Sequence, residues 1–242
     1  MSTPKVLFLI PARGGSKGLP KKNIRVMNGK PLIHWTVKTA LEAAKQLEGS
    51  NVVVSTDDNE IAEVSMRAGA GIPFMRPSEL AQDTSTSMEV VLHAVEYFQK
   101  QGMNYDYLCM LEATSPQRDA NDILSAFTLL DRTKDAESIV GVCTAESSHP
   151  AFLAKKNKKQ FIVPYEGENF IFKRRQEIDE VFFFEGSLYI SKVDSLLKRR
   201  SFYHEKTLGY EMPKWKSFEV DDIVDFILIE RLMQAKENGE IE

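Results

Sequence analysis

Apolar positions along the first part of the chain follow two alternating patterns. Val6-Leu7-Phe8-Leu9-Ile10 is an unbroken apolar run, and Asn51–Ser55, Tyr107–Leu111 and Ser138–Cys143 are similar short runs. Continuous runs of this length predict strands covered on both faces. Between them lie segments with apolar residues three and four apart: Leu32–Ala44, Asn59–Ala68, Ser85–Gln101 and Asn121–Leu130. The third of these has Met88, Val91, Leu92 and Val95 on one helical face, and Thr86 and Glu89 stand at capping-box spacing at its start. Thr56, Asp57 or Asp58 is placed to cap the helix that begins near Asn59. Such alternation predicts an α/β fold, a parallel sheet with helices on both faces. Ligands of such sheets sit beyond the carboxyl ends of the strands, so chemistry is expected in the segments that follow each strand.

The alternation stops at about Glu146 and resumes near Val181, with Lys155, Lys156, Lys158 and Lys159 crowded between, as expected of a solvated turn. Phe182–Ile190 then reads as a strand returning to the core. Near the end, Phe218-Glu219-Val220-Asp221-Asp222 opens a stretch from Ser217 to Glu230 with five carboxylates and no Lys or Arg. If Phe218–Val220 is a strand, Glu219 and Asp221 project from one face as a pair of hard oxygen ligands. The helix that follows carries Val224, Ile227, Leu228 and Leu232 on one side, and Asp222 alternatively serves as its N-cap.

Composition narrows the function. The 242 residues are 43% hydrophobic and 27% charged, ordinary for one globular core. No apolar run reaches the roughly 18 residues that span a bilayer, and MSTPKVLFLI lacks a signal-peptide pattern, so a cytoplasmic protein with no membrane association is expected. Cys109 and Cys143 sit inside apolar runs and read as buried free thiols. The four histidines, His34, His93, His149 and His204, show no metal-ligand spacing, and a pI near 5.7 argues against a nucleic-acid surface.

Against a net charge of -4, the first 41 residues hold eight Lys or Arg and no acidic residue. The excess gathers in Ile10–Asn23, IPARGGSKGLPKKN, where Gly14, Gly15 and Gly18 lie among Arg13, Lys17, Lys21 and Lys22. Such a stretch lets backbone N–H groups turn around an anion while cationic side chains neutralise it, and a polyphosphate is the simplest partner. It fits neither the Walker A pattern nor the dinucleotide GxGxxG spacing. Arg76, in RPSELAQDTSTS, is either a solvated surface residue or a rigid donor fork suited to a planar pair of acceptors.

The IPARGGSKGLPKKN stretch resembles the N-terminal signature of the CMP-sialic acid synthetases, or acylneuraminate cytidylyltransferases, and looks less like CMP-Kdo synthetases. Further similar blocks follow in order: STDD at Ser55–Asp58, MLEATSPQR at Met110–Arg118 beside the family's LQPTSPLR, FFFEGSLYI at Phe182–Ile190 beside RxNGxIY, and the D-x-D block at Glu219–Asp221. The resemblance implies one domain over 1–242, a three-layer, doubly wound, mostly parallel sheet of the Rossmann-like nucleotidyltransferase kind. Residues 146–181 would form a protruding arm that pairs with a second subunit in a homodimer. The implied reaction joins CTP and an anionic nine-carbon keto sugar acid, with Mg²⁺, to give the CMP-sugar and pyrophosphate.

Site residues follow by the same resemblance. Arg13, Ser16, Lys22 and Asn23 fall at the triphosphate, with Lys22 nearest the reacting phosphate and Lys17 and Lys21 as weaker candidates. Arg76 and Ser87 fall at the base, and Glu219 and Asp221 at the metal. Glu112, Thr114, Ser115, Arg175 (with Arg174 as its substitute), Glu185, Tyr189, Phe202 and Tyr203 fall at the sugar. Phe202 and Tyr203 read equally well as core aromatics. Lys22, Arg13 and Asp221 are the catalytic candidates, and no histidine is placed to act as the base. Three sugar-side positions depart from the family: Glu112 stands for Gln, Phe183 for Arg and Glu185 for Asn. Legionaminic, pseudaminic and 8-amino-Kdo acids are therefore rival acceptors to N-acetylneuraminate. A nucleotide binder without catalysis is the rival of another class.

Overall fold

A computed structural model of the chain describes residues 4–146, 148–165, 167 and 174–241, with the side chain of Arg175 outside that description. In chain order the strands and helices are β1 (Val6–Pro11), β2 (Val26–Met27), β3 (Lys30–Pro31), α1 (Leu32–Ala44), β4 (Asn51–Ser55), α2 (Asn59–Arg67), α3 (Ser87–Lys100) and β5 (Tyr107–Met110). There follow α4 (Ala120–Arg132), β6 (Ser138–Thr144), β7 (Ala154–Lys156), β8 (Ile162–Pro164), β9 (Phe182–Lys192), α5 (Val193–Arg199), β10 (Thr207–Glu211) and α6 (Ile223–Glu237).

The central sheet runs β10-β6-β9-β5-β1-β4. β9 is antiparallel to both its neighbours, and the other pairings are parallel. β1 is covered on both sides because its apolar run has no polar face to leave wet. Val6, Phe8 and Ile10 pack with Ile33, Val37, Ile61, Ile123 and Phe127 from α1, α2 and α4. Leu7 and Leu9 pack with Val91, Val95 and Phe98 of α3 and Leu196 of α5. The result is the three-layer α/β arrangement expected.

Helix starts are set locally. The Asp58 carboxylate accepts the Glu60 and Ile61 N–H groups at the head of α2, and Thr86 with Glu89 closes a reciprocal capping box on α3. Asp222 does the same with Asp225 on α6, which settles its role as the N-cap. At α4 the box is Asp119 with Asp122, and Lys216 Nζ binds both carboxylates at 2.7 Å, tying the segment before the acidic block to this helix.

Four expectations are corrected. Phe218–Val220 is not a strand but an irregular segment, because its main chain reaches the β5–α4 loop through Val220 N–H to Thr114 O rather than a sheet edge. The buried face of α6 is Phe226, Ile229 and Met233, packed on Leu19, Met27, Leu32 and Val220, while Val224, Ile227 and Leu228 face outward. Phe182, Phe183 and Phe184 are exposed, so β9 enters the core only from Glu185 onward. β10 and α5 were not foreseen as elements.

The described parts of residues 146–181 lie beyond two closing contacts, Ala145 N–H to Val181 O and His149 Nε2 to Asp179 O. Within them β7 and β8 form a two-stranded hairpin, with Lys155 and Lys156 exposed on it and Lys158 and Lys159 in its exposed turn. Arg175 begins a short 3-10 helix, Arg175–Glu177, but its side chain lies outside the described residues. Cys109 and Cys143 are buried and unbonded, and burial pushes the Cys109 thiol far above its ordinary value, consistent with an inert core thiol.

Candidate active site

The chain leaves β1 for β4 on one side and later returns to β5 on the other, so the strand order reverses at β1. That reversal parts the loops after β1 and β5 and opens a crevice at their carboxyl ends. Two cavities occupy it. One, of about 390 Å³, is lined by Arg13, Ser16, Lys22, Asn23, Glu112, Thr114 and Asp221 among others. The other, of about 230 Å³, is lined by Arg76, Ser87 and Asp83, and it shares Arg13 and Glu112 with the first.

The cationic turn is held by both flanks of the crevice. Asn23 is buried and its amide donates to Arg13 O at 3.1 Å. Gly14 N–H donates to Asp57 at 3.0 Å, so this amide is taken by the STDD block rather than turned to an anion. Lys22 is not the exposed loop residue its neighbours suggest. Its side chain is 14% exposed, and Nζ donates to Val220 O at 2.6 Å and lies 3.5 Å from Asp221 Oδ1. The turn and the acidic block, about 200 residues apart in sequence, therefore meet: a Cβ on Gly18 would lie 2.4 Å from Asp221 O, a spacing only glycine permits. Lys21 points elsewhere, to Glu60 at 2.7 Å.

Asp83 is a partner that sequence reading missed. Its carboxylate binds Arg13 Nη1 at 2.9 Å and also Lys17. Those contacts, Lys17 first, hold the carboxyl below its usual range. Nothing in RPSELAQDTSTS marks this one acid among polar neighbours.

Arg76 is buried, with Nε donating to Ser55 Oγ at 3.1 Å and Nη2 to Ser55 O, and burial lowers its pKa. It is therefore a fixed donor fork on the wall it shares with Ser87, not a solvated residue.

Beyond β5, Arg118 is buried and orders the loop from beneath, Nη1 donating to Ser115 O at 2.5 Å and Nη2 to Glu112 O at 2.8 Å. Ser115 is buried beneath the surface, whereas Thr114 lines the larger cavity. The Glu112 carboxylate has no hydrogen-bond partner among the described residues. Burial first, then the Glu219 charge, pushes its pKa up to about 7.

The remaining sugar-side candidates divide. Phe202 is buried against Tyr189, ring centroids 5.4 Å apart, so it belongs to the core, while Tyr203 is exposed between Phe184 and Tyr189. Glu185 lines neither cavity of the crevice and accepts both the N–H and Oγ–H of Ser187.

Glu219 accepts the Gly186 N–H, and burial and the neighbouring Asp221 charge raise its pKa. Two carboxylates that repel each other beside a cationic cavity suit a hard divalent cation completed by phosphate and water oxygens. Among the described residues no group of three or more His, Cys, Asp or Glu side chains forms a closed metal cage, so these two would be the chain's share of such a site. A larger depression of about 590 Å³ lies at the amino ends of the strands, by Tyr107, Glu137 and Lys192. There Glu137 is satisfied by Arg199, Lys206 and Ser195, and the network reads as structural.

A cationic glycine turn and an acidic segment meeting at the strand-order reversal of a mostly parallel sheet define an α/β nucleotidyltransferase. The fold agrees with a CMP:2-keto-3-deoxy-manno-octonic acid synthetase solved with CTP, at a TM-score of 0.65 and 19% identity, over 96% of this chain and 99% of that one. A 4-diphosphocytidyl-2C-methyl-D-erythritol synthase from Anaerococcus prevotii shares it at a TM-score of 0.62 and 9% identity, over 96% and 99%. The chain belongs to the cytidylyltransferase family, whose model, described as Cytidylyltransferase, matches residues 7–237. A CMP-N,N'-diacetyllegionaminic acid synthase from Legionella pneumophila is 33% identical over 97% of this chain and 99% of its own length. A pseudaminic acid cytidylyltransferase from Campylobacter jejuni is 31% identical over 91% and 93%. An N-acylneuraminate cytidylyltransferase from Streptococcus agalactiae is 30% identical over 92% of this chain but only 52% of its own length.

Proposed function

We propose that this protein transfers CMP from CTP to the anomeric hydroxyl of a nonulosonic acid, releasing pyrophosphate. The observation that carries the reading is the contact of Lys22 with the Asp221 segment across one cavity. Relatives named for legionaminic, pseudaminic and N-acylneuraminic acids support the acceptor class. Both substrates are anions, so the barrier is largely electrostatic and cations fixed in advance lower it. Arg13, Ser16, Lys22 and Asn23 would hold the triphosphate, with the Lys22 ammonium at the phosphate under attack. Arg76 and Ser87 would read the cytosine edge.

Thr114 and Glu112 would meet the acceptor. Glu112 faces both cavities, and its pKa near 7 suits a group that takes the proton of the attacking hydroxyl at neutral pH. Glu219 and Asp221 would hold Mg²⁺, which when bound offsets phosphate charge as a Lewis acid. Exposed aromatic and aliphatic residues on residues 146–181, Phe161, Ile162 and Tyr165, support a homodimer formed through that arm. Use of CTP supports a cytoplasmic location.

The test is a pyrophosphate-release assay crossing the four nucleoside triphosphates with a panel of nine-carbon keto acids, neutral and amino-substituted acceptors included. Release is expected with CTP and at least one nonulosonic acid. CTP binding without release on any acid would favour the non-catalytic binder and overturn the proposal.

A further inference from the structure

The pairing of β6 with β9 breaks at one place. Val140 pairs with Tyr189 and Val142 with Phe184, so Gly141 alone stands opposite Glu185–Leu188. Extra residues on one strand of a pair bend it and re-aim its backbone, and bulges of this kind recur beside active sites. Here the bulge stands where β9 passes beyond the carboxyl end of β5, since Tyr189 is the β9 partner of Met110.

A buried carboxylate fills the bulge. Glu185 is 1% exposed, and its two oxygens take both donors of Ser187, Oγ at 2.6 Å and N–H at 3.1 Å. This closes a small ring that fixes the direction of the peptide between them, Gly186. One carboxylate oxygen closes on Gly141, where a Cβ would fall 1.6 Å from Glu185 Oε1. The Gly186 N–H in turn donates to Glu219 Oε1, and a Cβ on Gly186 would fall 2.3 Å from that oxygen. Two glycines thus each admit one carboxylate, in series. Beyond Glu219 the next carbonyl, Val220 O, is the one Lys22 binds. Burying an acid in this position is costly unless it is bonded, and among the described residues the Glu185 carboxylate bonds Ser187, within the bulge itself.

We infer that Glu185 is a positioning residue, which pins the β9 bulge over Gly141 so that the Gly186 N–H fixes the Glu219 carboxylate and, through it, the Val220–Asp221 segment against Lys22. It does not contact the acceptor. The catalytic consequence rests on the cytidylyltransferase reading, whereas the structural one does not.

The experiment pairs kinetics with amide hydrogen exchange on the full chain. In Glu185→Ala the Gly186 amide is expected to exchange at least about tenfold faster while the Leu9 and Ile10 amides in β1 keep their protection. Turnover should fall by about tenfold or more, with KM for the keto acid changed less than about twofold. Gly141→Ala, whose methyl group would displace the carboxylate, should reproduce both effects without replacing Glu185. Glu185→Gln keeps an oxygen for the Ser187 N–H and should restore most of both. If Glu185→Ala does not fold, Ser187→Ala removes one of the two bonds and should speed Gly186 exchange in the same direction. Unchanged Gly186 protection in these variants would overturn the inference, and so would a raised keto-acid KM at unchanged turnover, the mark of a direct contact. If the unaltered protein releases no pyrophosphate from CTP, the proposed function fails, and Gly186 exchange still decides whether Glu185 pins the bulge.

Discussion

Replacing Lys22 removes two things at once, a cation at the phosphate site and a bond to Val220 O inside a largely buried contact. Lys22→Ala should lower kcat/KM by about 10²–10³-fold, as loss of one preorganised charge stabiliser does. It should also cost about 1–3 kcal/mol in urea denaturation, because the carbonyl loses a charged donor. Asp83→Asn acts the other way. By releasing Arg13 and Lys17 from a competing carboxylate it should lower KM for CTP by up to about fivefold, the range of an exposed ion pair, and an unchanged KM would show that the triphosphate does not displace Asp83. Burial raises both Glu112 and Glu185 to about 7. A carboxyl raised in the folded state favours folding below its unfolded pKa, and that advantage is lost as pH climbs through about 4.5 to 7. Stability should therefore decline between pH 5 and 7.5, and Glu185→Gln should flatten the decline by roughly 1–3 kcal/mol in urea midpoints taken across that range. Lys22 was legible because a strand-like run ends in a glycine-rich cationic turn. Asp83 was not, because only folding carries it to Arg13, 70 positions away in sequence.

The elements written by short-range chemistry could be read directly. β1 follows from five consecutive apolar residues, α3 from a capping box and one apolar face, and the start of α6 from Asp222 as its N-cap. What failed were finer features decided by two segments together. α6 carries apolar residues on opposite faces, and periodicity alone could not say which would meet Leu19 and Met27. The choice is measurable: Ile229→Ala should cost about 2–4 kcal/mol as a core truncation, whereas Ile227→Ala should stay within about 0.5 kcal/mol. The β9 bulge was hidden for the same reason. FFFEGSLYI reads as one strand, and the four-to-one mismatch exists only against Gly141. Likewise the acidic block looked like a strand end, and its geometry comes instead from Thr114 O and the Lys22 ammonium.

At the largest scale, a six-stranded sheet carries a crevice where the turn after β1 meets the acidic segment before α6, and β7 and β8 form a separate hairpin between β6 and β9 in sequence. Phe161, Ile162 and Tyr165, on and beside that hairpin, are exposed, and the proposed homodimer would cover them. Sedimentation equilibrium should give about twice the 27.4 kDa chain mass, and Phe161→Asp with Ile162→Asp should return the monomer. A monomer in the unaltered protein would remove the arm from the account. The meeting of the chain's two ends can be tested more directly by a double-mutant cycle on kcat/KM for CTP, using Lys22→Ala, Asp221→Asn and the pair. If both residues act on one bound triphosphate, the losses will fall short of additive by about 1–3 kcal/mol, the coupling of residues in one contact network. Losses that add within about 0.5 kcal/mol would mean that the cationic turn and the acidic segment serve separate sites.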